Sequence, residues 1–138
     1  MFKFKAVFLG VTLLFLSNIS QGHAEISPQD VAYLAAWRAS VHKTDVWGFL
    51  NLIKCESRFN PYAIGTAGEV GSMQWLPGRG NAWNETSAYR ILHIDIHHEY
   101  QVKNPNAVFF DIDAGAELYA RGEIFRRIHW FNTYRKIC

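Results

Sequence analysis

Three glycines within seven residues, Gly65, Gly68 and Gly71, interrupt a chain whose apolar residues otherwise recur largely at helical spacing. Glycine is the residue that takes up left-handed backbone without steric cost and lets a chain pass close to another group. It is also, after proline, the poorest helix former. The segment 62–71 is therefore a loop, and the chain is not an uninterrupted helical bundle. Its helices must lie before and after this break, and whatever the loop carries is presented at their ends.

Upstream, Ser27-Pro28-Gln29-Asp30 reads as a helix start. Serine caps the free amides, proline suits the first turn and the acid complements the helix dipole. Val31, Leu34, Ala35 and Trp37 follow at near-helical spacing. Thr44-Asp45 restarts the pattern, with Val46, Phe49, Leu50 and Ile53 as a second stripe. That helix runs to about Ser57 and must stop before Asn60-Pro61, because the residue preceding proline avoids helical geometry. A last helix is expected from near Asp111, with Ile112, Ala116 and Tyr119 on one face and Gly122 as its stop. Only Leu92-Ile94-Ile96 alternates like a strand. No repeat, low-complexity tract or linker divides the chain. The expected class is mainly α: one small helical domain with a glycine-rich loop and at most a small β element.

The first 24 residues are set apart. Lys3 and Lys5 precede an apolar run from Ala6 to Leu16, then a polar stretch and Gly22-His23-Ala24. A charged start, short apolar core and small-x-small site describe a secretory signal peptide, cleaved near Ala24. The run falls short of the roughly 20 apolar residues that span a bilayer, so no stable membrane insertion is expected after cleavage. Residues 1–24 are read as the signal and 25–138 as the domain, periplasmic or secreted. The formal charge of +2 is wholly supplied by Lys3 and Lys5, so the exported part is formally neutral. That excludes the strongly basic face of a nucleic-acid binder. Basic residues do gather over 121–136 (Arg121, Arg126, Arg127, Arg135, Lys136), either as a solvated helix face or as a surface for a polyanion.

Two cysteines, Cys55 and Cys138, remain in a protein routed to an oxidising compartment. A disulfide between them is expected. It would close a loop of about 80 residues and add roughly 4 kcal/mol of stability on the chain-entropy model. A nucleophilic cysteine is the alternative, but no Cys-His-Asn arrangement accompanies it.

Glu56 is the residue of greatest chemical interest. It lies at a helix end, on the face shared by Phe49, Leu52 and Ile53. Partial desolvation there disfavours the charged carboxylate. A carboxyl group still protonated near neutral pH is what protonates a leaving-group oxygen in glycosidases.

The residues after it extend that reading. They run Glu56-Ser57-Arg58-Phe59-Asn60-Pro61-Tyr62-Ala63, then Gly68-Glu69-Val70-Gly71-Ser72-Met73-Gln74. This resembles the catalytic domain of soluble lytic transglycosylases, lysozyme-like enzymes that cleave the glycan strand of peptidoglycan. Nine positions match in order over 19 residues: Glu56, Ser57, Asn60, Pro61, Ala63, Gly68, Gly71, Met73 and Gln74. Asp111-Ile112-Asp113-Ala114-Gly115-Ala116 and Trp130…Tyr134…Cys138 are similar to the closing helix and tail of small members. The resemblance covers residues 46–77 well and the rest loosely. Gly65 stands where the family usually has serine, Glu69 where it has a small residue and Ser72 where it has leucine. The late Tyr-Asn-Ala-Gly segment of larger members is missing.

What the resemblance implies is an α+β lysozyme-like fold and cleavage of the MurNAc-GlcNAc β-1,4 bond with formation of a 1,6-anhydro-muramyl end. Glu56 would be the sole general acid, then base. Ser57 would help position the carboxyl or the sugar's N-acetyl group. Asn60, Met73, Gln74 and Trp75 complete the candidate substrate-binding set, with Trp75 as the aromatic for stacking on a sugar ring. Glu69 is the candidate second carboxylate, which ordinary hydrolysis needs and transglycosylation does not. No cofactor is implied. His93, His97 and His98 match no zinc-motif spacing, and no metal site is assigned.

The expected partner is the peptidoglycan glycan strand, with secretion or cell-envelope machinery as a possible targeting partner and a monomer as the working form. Two other functions fit the same residues: a hydrolytic muramidase on the same fold, and a non-catalytic peptidoglycan-binding module.

Overall fold

A computed structural model describes residues 25–76, 89 and 92–123. The elements run α1 (Pro28–Val41), α2 (Val46–Ser57), α3 (Ile96–Gln101) and α4 (Ala107–Ala120), and the described part is mainly helical. The signal segment 1–24, Trp83, Trp130, the basic run beyond Gly122-Glu123 and Cys138 lie outside the described residues, so the Cys55–Cys138 pairing stays an expectation.

α1 begins as its residues dictate. The Ser27 side chain accepts the Asp30 amide and the Asp30 carboxylate accepts the Ser27 amide, a reciprocal cap with Pro28 in the first turn. Val31, Ala35 and Ala39 recur every four residues and are fully buried. Such short side chains on one stripe let α1 lie close against both α2 and α4. Trp37 does not belong to that stripe. It is 55% exposed, and its ring packs beside Phe109 and under the Arg38 guanidinium. Arg38 Nε and His42 Nε2 both donate to Asp113 Oδ1, at 2.7 and 2.8 Å, which clasps α1 to α4.

α2 buries Phe49, Leu52 and Ile53, and the Phe49 ring meets Tyr119 of α4 edge-on at 5.5 Å. It ends at Ser57 because Arg58 and Phe59 both turn left-handed (φ 54° and 63°). Two consecutive non-glycine residues in that region are unusual and reverse the chain sharply ahead of Asn60-Pro61.

Two expectations are corrected. Leu92-Ile94-Ile96 is not a strand: His93 has φ 57°, and Asp95 caps α3 by accepting the His98 amide, so Ile96 already starts a helix. All three apolar side chains still turn to the core, which is why their alternation imitates a strand. The β element lies instead within the glycine-rich segment, as antiparallel bridges Ile64–Val70 and Val70–Trp75.

α4 starts at Ala107, four residues before the expected Asp111. The Asn104-Pro105-Asn106 turn launches it: Asn104 accepts the Asn106 amide with its side chain and the Ala107 amide with its carbonyl. Its end is as expected, with Gly122 at φ 72° and its amide on the Tyr119 carbonyl.

Candidate functional site

Glu56 occupies the last turn of α2, between half-buried Cys55 and Ser57. The carboxyl is half-buried as a whole, with Oε1 shielded from solvent. Ser57 Oγ donates back to the Ile53 carbonyl of its own helix (3.3 Å). Asn60 is exposed, and its Oδ1 accepts the Tyr62 amide at 2.9 Å. That side chain fixes the turn through Pro61, the local work asparagine does in turns. The structure thus gives Ser57 and Asn60 roles in shaping the exit from α2.

From there the chain folds into a compact double-back. Gly65 donates to the Glu69 carbonyl, Gly71 to Ala63, and Val70 and Trp75 exchange both backbone bonds. Glu69 turns inward on its own loop, with Oε2 accepting the Ala67 amide at 2.9 Å. A Cβ placed at Gly65 would come within 2.1 Å of that oxygen and 2.8 Å of Gln74 Oε1. Glycine at 65 and glutamate at 69 are therefore linked: the carboxylate of Glu69 fills the space that glycine leaves at 65. Gln74 sits beside them at φ 53°, its Nε2 donating to the carbonyls of Gly71 (2.9 Å) and Ala63 (3.2 Å). Of the candidate residues, Glu69 and Gln74 are brought together, on either side of the space left by Gly65.

This pairing has a measurable consequence. Gly65→Ser alone must push Glu69 off the Ala67 amide, whereas in a Glu69→Ala background the added side chain has only the end of Gln74 to displace. The destabilisation by Gly65→Ser should shrink by about 1 kcal/mol in that background, read from denaturant melts of the four proteins. Additive effects would mean that the two positions are independent.

Met73 and Trp75 are placed differently from the expectation that they line a groove. Both are fully buried, so as folded neither offers a surface to a sugar. Met73 packs over Gly115, where an added Cβ would lie 2.8 Å from its side chain. Trp75 donates its indole N–H to Asp111 Oδ1 at 2.7 Å, and its carbonyl accepts from His97 Nε2 at 2.8 Å. They hold the loop to the helices: burying a methionine or larger apolar side chain is worth about 1.5–3 kcal/mol.

The anchor on the helical side is Asp111, fully buried on α4. Its Oδ2 accepts the Ser72 amide (2.6 Å) and the Tyr100 hydroxyl (2.7 Å). Its Oδ1 accepts the Met73 amide (3.2 Å) and the Trp75 indole. Burial pushes this carboxyl up to about 6 against the downward pull of the four hydrogen bonds. Burial, and then the Asp111 charge, hold the Tyr100 phenol well above its usual range. Neither Asp111 nor Tyr100 stood out as a site residue in the sequence. The available signal was a lone acid on the apolar face of a helix, one turn from Val108 and four residues before Gly115.

Two open cavities, of about 510 and 530 Å³, meet at Tyr62 and Tyr100. The first runs along Ala63, Ile64 and Gly68 toward His97; the second reaches Ile26 and Lys103. Glu56 borders neither. Their walls are chiefly apolar and present no carboxylate. Among the described residues no three side chains of metal-binding type converge. His93 and His97 are parted in function: His93 meets the Tyr89 ring edge-on, and His97 is engaged by Trp75. Among the described residues no helix is long and apolar enough to cross a membrane.

No protein-family model, curated protein or solved structure matches the chain.

Proposed function

We propose that the chain is a small exported lytic transglycosylase acting on peptidoglycan, built on a lysozyme-like helical domain, with Glu56 as its acid and base. The observation that carries the reading is the carboxyl of Glu56. It stands at the end of an apolar helix with one oxygen shielded from water, and the chain leaves it through two left-handed residues into the glycine-rich loop. A carboxyl group so placed is the kind of side chain that general acid-base catalysis uses. Backbone held in sparsely populated conformations is a frequent companion of functional sites.

In this reading, neutral Glu56 gives its proton to the glycosidic oxygen as the C1–O bond breaks. The N-acetyl group of the sugar supports the electron-poor C1. The C6 hydroxyl of the same sugar then forms the new bond to C1, and the Glu56 carboxylate takes up the proton released. No water is consumed, one carboxyl serves both steps, and no cofactor enters. Gln74 stands at the sugar, while Glu69 serves the loop. The Cys55–Cys138 disulfide, a monomeric state and release into the periplasm or medium belong to the same proposal.

The test is incubation of the purified protein with isolated sacculi. Soluble muropeptides should accumulate with time. Binding to sacculi without release would favour a non-catalytic module and overturn the enzymatic reading.

A further inference from the structure

Asp111 is an acid where the fold otherwise places apolar side chains. Ile112, Ala114, Gly115 and Val108 surround it along α4, and it is fully buried. A carboxylate persists in such a place only when its oxygens are satisfied. Among the described residues no cation pairs with it. Four donors do: the amides of Ser72 and Met73, the Trp75 indole and the Tyr100 hydroxyl. Three of the four come from four consecutive loop residues, and the fourth member of that run is Gln74.

We infer that Asp111 is the positioning residue of the proposed site: its ionised carboxylate fixes the Ser72–Trp75 turn on α4 and so determines where Gln74 stands. This rests on the glycan-cleaving reading only for what Gln74 does there. The hydrogen bonds themselves stand without it. Gln74 is held by the same turn at both ends, since its side chain bonds the Gly71 carbonyl and its backbone lies between Met73 and Trp75. A displacement of about 1 Å in a group that orients substrate can cost on the order of a hundredfold in rate.

The charge state follows from the donors. All four point hydrogens at the carboxylate, so the ionised form satisfies every one of them. A proton taken up on Oδ2 needs an acceptor, and of the four groups only the Tyr100 oxygen can serve, after its own hydrogen turns away. The Tyr100 bond is then reversed, and the three loop donors point at a neutral carboxyl instead of a charged one. Tyr100 on α3 is the titratable group facing Asp111, and His97 reaches the same turn through the Trp75 carbonyl. From α1, Arg38 and His42 are engaged by Asp113 instead. Tyr62 lines the same two cavities as Tyr100. Burial pushes the carboxyl up to about 6, so the turn is anchored on a full charge at neutral pH, and that charge-assisted anchoring weakens as pH falls through about 6. Global stability has the opposite sign. The folded value lies above the ordinary 3.8, so this group favours folding most below 3.8 and loses that contribution as pH rises through about 6.

The experiment is a pH titration of the ¹⁵N-labelled protein, following the assigned Trp75 indole N–H and the Ser72 amide. The indole resonance should move with a midpoint near 6 in the parent protein. Tyr100→Phe removes one donor and should raise that midpoint. Asp111→Asn should abolish the transition, speed Ser72 amide exchange at least tenfold and lower kcat/KM for muropeptide release at least tenfold. A purely structural role for Asp111 would leave kcat/KM of the folded Asp111→Asn protein unchanged, and kcat/KM of the parent insensitive to the pH at which the indole titrates. An indole flat from pH 4.5 to 7.5, or a transition that survives Asp111→Asn, overturns the inference. If the indole titrates as expected in a protein that leaves sacculi intact, the anchoring of the turn stands and the glycan-cleaving reading falls.

Discussion

Glu56→Gln is expected to reduce cleavage of sacculi by about 10²–10⁴-fold, the range that a positioned acid-base group contributes. The amide keeps the shape of the side chain and cannot give up a proton to the glycosidic oxygen. Folding should be preserved, because the change replaces one shielded oxygen by a group of equal size at a helix end that Phe49, Leu52 and Ile53 already stabilise by burial. Release of dye from labelled sacculi, with a thermal melt in parallel, checks both halves. Substantial residual release from a folded Glu56→Gln protein would remove Glu56 from the centre of the mechanism. Loss of the fold would show that its carboxyl is structural.

Gly71→Ala should be the most damaging single methyl in the loop. Gly71 has φ 81°, and a Cβ there would lie 2.5 Å from Asp111 Oδ2 and 2.7 Å from the Tyr100 hydroxyl. The left-handed backbone alone costs an L-residue about 1–2 kcal/mol. The methyl must also part the phenol from the carboxylate, leaving buried groups unsatisfied at about 1–3 kcal/mol. A loss of about 3–5 kcal/mol is a large share of the 5–15 kcal/mol that holds a typical domain. Gly122→Ala is the control. It too has a positive φ, 72°, but nothing lies within 4 Å, so only the backbone cost applies. Equal losses at the two sites in denaturant melts would show that the Asp111–Tyr100 pair does not constrain the loop.

Legibility of the sequence tracked how local the physical cause was. The start of α1 is written in Ser27 and Asp30, which cap each other within four residues. The extent of α2 follows from its apolar stripe, and its end from the approach to Asn60-Pro61. The start of α4 was harder to read because it depends on Asn104 capping a turn through Pro105, with its own side chain tied to Glu99. Around residues 92–96 the apolar alternation was real and its interpretation wrong: His93 and Asp95 supply a left-handed step and a cap. Motif order marks Met73, Gln74 and Trp75 as belonging together but carries no information on side-chain direction. Burial separates them, with two in the core and Gln74 at the loop. Asp111 is legible only after folding, since its donors come from residues 36 to 39 positions away and from Tyr100.

The compensation between Gly65 and Glu69 bears on reaction type. A second carboxylate near a saccharide site invites hydrolysis, because it can activate water or attack the sugar. Here Glu69 Oε2 is engaged by the Ala67 amide and packed into the space at Gly65, which accounts for its presence without a part in the chemistry. With Glu56 as the one acting carboxyl, the proposed reading has the sugar's own C6 hydroxyl complete the reaction in place of an activated water.

Mass spectrometry of the muropeptides released from sacculi by the purified protein decides this directly. The account predicts 1,6-anhydro-muramyl ends, one water lighter than the hydrolysed product, formed by the parent protein and missing with Glu56→Gln. Reducing muramyl ends would show that water completes the reaction, and would contradict transglycosylation by a single carboxyl.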